Sequence, residues 1–323
     1  MKQLLCTCPF VPVEWIFAHG FICKRSVPFF KNLGSVESMG CCPLAQAFLD
    51  EIISTRLPAI FSSTCDQMRR AADVAKAKGL NVFIINVPTT ISEESVKYFR
   101  SELLRLSLWL ESLGGKRPTN KELRACIEKF NDARSLVLDS QPYVSGSFFM
   151  NSVMNLAAET ETGIIKKKNC VFGSDQATRV PLAILGGHTS QAHFGLINEI
   201  EKAGGRIVLN ALSFGNRVLI PKIIIGENED IVYGIAKHYM ENIRDVFMRP
   251  NDRFYSWLTK EIKTKKVKGA ILATHVWCDL WRGEIQTMKE ILKIPLLDIT
   301  FGTESFPLNQ TINRCQSFLE MMQ

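Results

Sequence analysis

The chain has 323 residues, of which 46% are hydrophobic and 22% are charged, a composition typical of folded proteins that argues against a disordered chain. Its length predicts about two domains, and its excess of 39 − 32 = 7 basic residues suits a phosphorylated or acidic ligand as well as nucleic acid. No uncharged apolar run is long enough for a membrane span and the N-terminal apolar run is too short for a secretory signal, so we expect a cytoplasmic protein.

The first clear α/β pattern begins with a short apolar strand at residues 57–61. A helical pattern follows to about residue 78, where Gly79 provides a typical helix C-cap. A second apolar strand then covers 81–86 and ends before Pro88. A strand, a helix and a second strand in this order predict two parallel strands.

Two longer helical patterns follow. The first covers residues 92–113 and ends at a pair of glycines. The second begins at Thr119, where Glu122 completes a capping box, and runs to about residue 138. We expect these two helices to form a helical hairpin. Residues 140–178 have no clear pattern, and the run of three lysines within them is predicted to be a solvated loop.

The α/β pattern resumes at Val180 and continues to a final helix predicted over 305–322. The predicted strands of this half are 181–185, 206–210, 269–276 and 295–300. The sequence therefore predicts an α/β fold of two Rossmann-like domains, each with a short parallel sheet flanked by helices, plus the helical hairpin. We expect an N-terminal domain over 1–140, a connecting segment over 141–178 and a C-terminal domain over 179–323.

Ten cysteines occur without a CxxC pair, so a metal site would have to be assembled from cysteines far apart in the sequence. Cys65 and Cys278 each follow a predicted strand and precede an aspartate and a helix, and Cys42 precedes Pro43, a favourable first helical residue. Helix N-termini stabilise thiolates, and parallel sheets bind ligands at the carboxyl ends of their strands. These three cysteines could meet in the cleft between the domains and bind zinc or an iron–sulfur cluster. The alternative is three separate buried thiols.

Several segments match, in order, the motifs of a known family. The first reads CPFVPVEWI from Cys8, the second reads CPLAQAFL from Cys42, and the third reads STCDQMR around Cys65. The residues at 86–103 and the hairpin helix continue the match, and WCD around Cys278 corresponds to the last cysteine motif. Over nearly its whole length the chain resembles the 2-hydroxyacyl-CoA dehydratase D-component family, which includes benzoyl-CoA reductase subunits.

The resemblance implies an oxygen-sensitive [4Fe–4S] cluster held by Cys42, Cys65 and Cys278, with one iron open to water or substrate. It implies a subunit of a hydro-lyase in which one electron added to a 2-hydroxyacyl-CoA thioester gives a ketyl radical that expels the hydroxyl group. It also implies a homologous second subunit in a heterodimer. An ATP-dependent iron–sulfur activator protein is expected as a partner, since this sequence has no P-loop.

By the same resemblance, Glu14 of the first motif is the candidate catalytic base or substrate-positioning group, and the alternative is a solvated glutamate. Cys8 is expected near the cleft, and whether Cys8 or Cys41 joins the cluster stays open. His275, three residues before Cys278, is a better candidate for lining the cleft than the other histidines.

Other functions stay open at this point. The chain could be a non-catalytic electron-transfer or scaffold subunit, a benzoyl-CoA reductase-like subunit, or a protein of this fold with a zinc or CoA site and no cluster. The lysines over 263–268 could contact CoA phosphates, although a solvated helix end is the simpler interpretation. The glycine-rich turn at 186–190 could bind a phosphate or be a plain turn between a strand and a helix. No aromatic residues interleave with the basic ones, so nucleic-acid binding is not expected.

Overall fold

The computed structural model describes residues 1–30, 40–157, 178–304 and 306–322. The N-terminal half contains four strands: β1 (Lys2–Cys6), β2 (Phe21–Arg25), β3 (Ala59–Ser62) and β4 (Val82–Ile85). They form one parallel sheet in the order β2-β1-β3-β4. The sequence pattern predicts β3 and β4 but not β1 and β2, because β1 and β2 include charged residues (Lys2 in β1, Lys24 and Arg25 in β2) that shorten their apolar runs.

Helices alternate with these strands. They are α1 (Val13–Ala18), α2 (Pro43–Thr55) and α3 (Asp66–Ala77). Gly79 follows α3 with a φ of +69°, in the left-handed conformation that the predicted C-cap requires. Its N–H donates to the Lys76 carbonyl and ends the helix.

The two long helices form as predicted, but they do not pack mainly against each other. They are α4 (Glu93–Ser112) and α5 (Asn120–Ser140), and the capping box of Thr119 with Glu122 is present. The main neighbour of α5 is α1, whereas α4 packs most extensively against the helix Ile231–Asn242 from the C-terminal half. The two helices therefore follow one another as a hairpin does, while their apolar faces join the two halves of the chain.

The C-terminal half repeats the first sheet. Its strands are β5 (Val180–Leu185), β6 (Gly205–Ala211), β7 (Gly269–His275) and β8 (Leu296–Phe301). They pair in parallel in the order β6-β5-β7-β8. All seven residues of β7 are buried, as is typical of a central parallel strand covered on both faces. The predicted α/β fold with two short parallel sheets is confirmed.

Seven helices among the described residues complete this half. They are α6 (Gly146–Met154), α7 (Gln191–Lys202), α8 (Ile231–Asn242), α9 (Asp252–Thr264), α10 (Asp279–Arg282), α11 (Ile285–Leu292) and α12 (Asn309–Glu320). Helix α6 packs on α7 and β6, so the second sheet already gains a covering helix before residue 178. The run of three lysines at 166–168 and Cys170 lie outside the described residues.

One hydrophobic core extends across both halves. It contains Leu4 and Ile60 of the first sheet together with Leu182 and Ile271 of the second. Each sheet has a further apolar cluster of its own. The shared core fixes the two sheets relative to each other, and so positions the segments that follow their strands. In the part of the chain that the structure describes, no helix combines the length and apolar character needed to cross a membrane.

Candidate active site

A cavity of about 790 Å³ lies where the two halves of the chain meet. Its walls come from the segments that follow β3 and β4 in the first sheet and β5 and β7 in the second, at the carboxyl ends of these strands. Cys42, Cys65 and Cys278 all line it. Parallel sheets bind ligands at this edge because helix N-termini with free N–H groups collect there. The fold thus brings together the three cysteines that the sequence selects.

Each of these cysteines is the last residue before a helix, with Cys42 before α2, Cys65 before α3 and Cys278 before α10. Backbone N–H groups of the first helical turn donate to each sulfur. They belong to Leu44 and Ala45 at Cys42, to Gln67 and Met68 at Cys65, and to Trp281 at Cys278. Such N–H groups stabilise a negatively charged sulfur, so they favour the thiolate form of all three cysteines.

Burial opposes the ionisation of the three thiols. It raises the pKa of Cys42 and of Cys278 to about 12 and raises the pKa of Cys65 as well. The sulfurs are also close enough that Cys65 and Cys278 both raise the pKa of Cys42. Because three thiolates in one cavity repel one another, they ionise together only beside a positive group. A metal centre supplies such a charge, and thiolate binding releases the protons.

The three cysteines offer sulfur ligands, which zinc and iron–sulfur clusters both accept. Among residues 1–30, 40–157, 178–304 and 306–322, no three His, Cys, Asp or Glu side chains are grouped closely enough to hold one metal ion. In a [4Fe–4S] cluster each cysteine binds a different iron, so its ligands stand farther apart than those of one ion. Three cysteines around one cavity, with Cys42 buried and Cys65 and Cys278 half-buried, have the chemistry that such a cluster requires, and they would leave one iron without a protein thiolate.

Two neighbouring cysteines do not line the cavity. Cys8 is buried, and its Sγ lies 3.7 Å from Oγ1 of Thr64, which is a cavity residue. This contact agrees with the prediction that Cys8 lies near the cleft. Burial raises the pKa of Cys8 to about 11. Cys41 is buried beside Cys42 but does not line the cavity.

Glu14 lies on α1 and is completely buried, so the alternative of a solvated glutamate is wrong. Its Oε2 accepts hydrogen bonds from Nη1 of Arg134 on α5 at 3.4 Å and from the hydroxyl of Tyr239 on α8 at 2.9 Å. Glu14 does not line the cavity, and its Oε1 has no hydrogen-bond partner among the described residues. Its position joins the two halves of the chain, and its catalytic role stays a prediction.

Thr274 and His275, the last two residues of β7, form part of the cavity wall. The prediction that His275 lines the cleft is confirmed. Burial, together with the neighbouring His193, lowers the pKa of His275 well below its ordinary value, and only the backbone of Gly302 acts in the opposite direction. His188 also lines the cavity, and its Nδ1 lies 3.1 Å from the Thr7 carbonyl. His193 does not line the cavity. Its side chain forms a capping box with Ser190 at the start of α7.

The turn after β5 lets its backbone approach Cys278 closely. Gly186 has a φ of +155°, and a Cβ there would lie 2.2 Å from the Ala273 carbonyl oxygen. A Cβ on Gly187 would lie 3.0 Å from Cδ1 of Trp281 and 3.6 Å from Sγ of Cys278. Packing against β7 therefore requires glycine at position 186, and Gly187 lies in tight contact with α10.

Two arginines and a tryptophan belong to the exposed part of the cavity wall together with Asp66 and Asp279, and sequence reasoning does not identify the arginines and the tryptophan as site residues. Arg69 pairs with Asp66 and Arg249 pairs with Glu284, with side chains 57% and 48% exposed. Trp277 is also more than half exposed and has a positive φ of 62°, a strained conformation for an aromatic residue. The lysines over 263–268 do not line the cavity. The available cations for a phosphorylated ligand are therefore the two arginines.

Comparison with known proteins agrees with the motif analysis. The family model described as 2-hydroxyglutaryl-CoA dehydratase, D-component, matches residues 8–322. A benzoyl-CoA reductase subunit from Thauera aromatica is 22% identical over 290 residues, which cover 82% of this chain and 75% of that protein. The resemblance drawn from the five motifs is confirmed.

Proposed function

We propose that this chain, which belongs to the 2-hydroxyglutaryl-CoA dehydratase D-component family, is a subunit of an iron–sulfur enzyme that acts on an acyl-CoA thioester. In this proposal Cys42, Cys65 and Cys278 hold a [4Fe–4S] cluster with one open iron. The favoured reaction is the one-electron dehydration of a 2-hydroxyacyl-CoA through a ketyl radical, which makes the enzyme a lyase. A homologous second subunit and an ATP-dependent iron–sulfur activator protein complete the system.

One observation carries the proposal. Cysteines separated by up to 236 positions (278 − 42) line one cavity, and each precedes a helix whose N–H groups face the sulfur. Separate structural thiols have no reason to share a cavity, a helix-start position and donated backbone hydrogen bonds. Cytoplasmic proteins use such convergent cysteines to bind metal rather than to form disulfides.

The residues of this chain have three tasks in the proposed reaction. When bound, the cluster supplies an electron and a Lewis-acid iron for a substrate oxygen. Helix N-terminal N–H groups stabilise the negative charge of the sulfurs. Apolar side chains of the cavity wall, among them Leu44, Val87 and Phe247, exclude water from the reacting group. Arg69 and Arg249 at the exposed part of the wall are suited to CoA phosphates, because guanidinium groups bind phosphate through paired hydrogen bonds.

Glu14 is the candidate base in this proposal. The motif assigns it, but the carboxylate belongs to the ion pair with Arg134 rather than to the cavity wall. Its unpartnered Oε1 is the atom that would take a proton. A Glu14→Gln variant tests this role, since loss of turnover at unchanged iron content and unchanged stability would support a base. Loss of stability would indicate a structural role instead.

Iron and sulfide analysis of anaerobically purified protein tests the cluster. We expect about four irons per chain and broad absorbance in the region typical of thiolate-bound clusters. Cys65→Ser should lose most of this iron. Cys126→Ser is the matched control, because Cys126 is a half-buried cysteine on α5 that does not line the cavity. Equal iron in the two variants, or zinc in place of iron, would contradict the ligand assignment.

A second candidate is a benzoyl-CoA reductase-like subunit. The similarity to the benzoyl-CoA reductase subunit from Thauera aromatica favours it. A related alternative is a subunit that only relays electrons. Product analysis separates these functions, since dehydration yields an unsaturated acyl-CoA and ring reduction consumes an aromatic one. A chain that holds iron but shows neither activity with its native partner would be an electron-transfer or scaffold subunit.

A further inference from the structure

One histidine of the cavity wall keeps a ring nitrogen available to a ligand. His188 follows β5, is half-buried and lines the cavity. Its Nδ1 lies 3.1 Å from the carbonyl oxygen of Thr7, which can only accept a hydrogen bond. Nδ1 therefore carries the proton of the uncharged ring, and Nε2 is left as an acceptor. Nε2 has no hydrogen-bond partner among the residues that the structure describes.

The surroundings of this ring favour its uncharged form and fix its orientation. Burial lowers the pKa of His188 and Arg217 acts in the same direction, whereas Asp245 and the Thr7 carbonyl oppose them. Arg217 and Asp245 form an ion pair with each other, so their effects on the ring oppose one another. The hydrogen bond to Thr7 joins the second half of the chain to the first. The orientation of Nε2 is therefore fixed only when the two halves are docked.

The carboxylates and the other histidine of the cavity wall are less suited to accept a proton from a ligand. Asp66 and Asp279 are exposed to solvent, and Asp66 is paired with Arg69. A solvated carboxylate is a weak proton acceptor at neutral pH, because water stabilises its charge. His275 is almost fully buried against aromatic side chains and the backbone of Gly302. His188 is the half-buried acceptor among them.

We infer that His188 is the proton acceptor of this cavity, and that its Nε2 takes the proton that the acyl chain loses in the proposed dehydration. The inference rests on the proposed function for the reaction and assigns its base. The motif resemblance gives that role to Glu14, whose carboxylate is buried in the ion pair with Arg134 and does not line the cavity. A ligand in the cavity can touch His188, because His188 forms part of the wall.

The proton balance of the dehydration closes with this residue. After the hydroxyl group has left C2, a C3–H bond breaks, and its electron pair stays with the acyl chain as part of the new C2–C3 double bond. The proton forms a bond to Nε2 while Nδ1–H stays bonded to Thr7, which gives a positively charged ring. The ring passes the proton to the hydroxide that has left, and the electron added at the start returns to its donor. The products are the unsaturated thioester and water, without net oxidation.

Chemical labelling tests the position of Nε2 without turnover. Diethyl pyrocarbonate acylates accessible, unprotonated histidine nitrogens, and peptide mass spectrometry identifies the labelled residue. The full-length chain, purified anaerobically with any subunit that accompanies it, is labelled with and without butyryl-CoA, which has no hydroxyl group to lose. We expect labelling of His188, and butyryl-CoA at about ten times its Kd should slow it about tenfold. His238, a half-buried histidine outside the cavity wall, is the matched control, and its labelling rate should not change.

Variants test the role of His188 in turnover. The chain is assayed with its native partner subunit and activator on 2-hydroxybutyryl-CoA and 2-hydroxyglutaryl-CoA. His188→Gln should keep its iron and its affinity for butyryl-CoA, but should lower kcat by about 100-fold or more, the usual contribution of a general base. In His188→Gly, added imidazole should restore part of the activity, which a purely structural role would not allow. His238→Gln should keep wild-type activity.

The outcomes separate the inference from the proposed function. If the wild type dehydrates a thioester and His188→Gln does so at a similar rate, the inference is wrong and the proposed function stands. The same holds if butyryl-CoA binds but leaves the labelling of His188 unchanged, a result that does not depend on the folding of any variant. Loss of iron from His188→Gln would assign the ring to the metal centre and would also overturn the inference. If the iron-loaded wild type binds no butyryl-CoA, or dehydrates neither thioester with its native partners, the proposed function fails and the inference fails with it.

Discussion

An Arg134→Met variant tests how much one buried ion pair contributes to the stability of the chain. Arg134 and Glu14 belong to the N-terminal half, and their side chains are 3% and 0% exposed. Tyr239, which donates to the same carboxylate, belongs to the C-terminal half. Removing one member of a buried pair leaves an uncompensated charge and typically costs about 3–5 kcal/mol.

The structure places the expected cost at the lower end of that range. The distance of 3.4 Å between Nη1 of Arg134 and Oε2 of Glu14 is longer than in a strong ionic hydrogen bond, and Glu14 keeps the hydrogen bond from Tyr239 in the variant. We therefore expect Arg134→Met to lower the free energy of unfolding by about 3 kcal/mol. In the double variant with Glu14→Gln, the loss should be smaller than the sum of the two single losses, since neither then leaves a buried charge.

Urea unfolding, followed by circular dichroism and by tryptophan fluorescence, measures these changes. Arg100→Met is the matched control. Arg100 pairs with Asp230 of the C-terminal half at 2.7 Å, and both side chains are more than a third exposed. An exposed pair contributes at most about 1 kcal/mol. A loss in Arg134→Met no larger than in Arg100→Met, or additive losses in the double variant, would refute the argument.

Two further predictions concern the second sheet. Burial lowers the pKa of His193 to about 4 from 6.5. The unfolded chain therefore binds the additional proton between pH 6.5 and 4, and stability should fall as the pH drops through that window, by at most about 1.4 kcal/mol per pH unit. Urea unfolding over this range should show a shallower slope in His193→Gln, and an unchanged slope would contradict the assignment. Gly186→Ala should lower the melting temperature by about 5 °C, because its Cβ would meet the Ala273 carbonyl, and clearly more than Gly79→Ala, which meets nothing within 4 Å. Equal melting temperatures would show that the turn after β5 can relax.

Local signals in the sequence were sufficient for much of the fold and for the grouping of the cysteines. The strand β7 is a run of apolar residues that ends just before Cys278, and Cys65 stands between β3 and α3 in the same way. When strands run in parallel, the residues at their carboxyl ends share one edge, so the position of each cysteine followed from its own neighbours. The capping box at Thr119 was predictable for the same reason, since its two residues are three positions apart.

Contacts between distant segments could not be predicted in this way. Glu14 meets Arg134 and Tyr239, which are 120 and 225 residues away, and no local pattern indicates either partner. The packing of α4 against α8 depends on the arrangement of the two sheets rather than on the short connection between α4 and α5. Oγ1 of Thr274 has no hydrogen-bond partner among the described residues, and no local pattern indicates this, because it depends on how distant segments pack around β7.

The cavity exists only when both halves of the chain are docked. Cys42 and Cys65 come from the first half and Cys278 from the second, so neither half supplies three sulfurs alone. A ligand that binds all three recognises only the docked state and stabilises it by mass action. The shared core and the hydrogen bond from Tyr239 to Glu14 act on the same equilibrium without touching the ligand. Damage at the interface should therefore weaken ligand binding indirectly, and loss of one cysteine should in turn remove the stability that the bound ligand adds to the docked state. In the absence of ligand, the same cysteine variant should leave the shared core and its stability nearly unchanged.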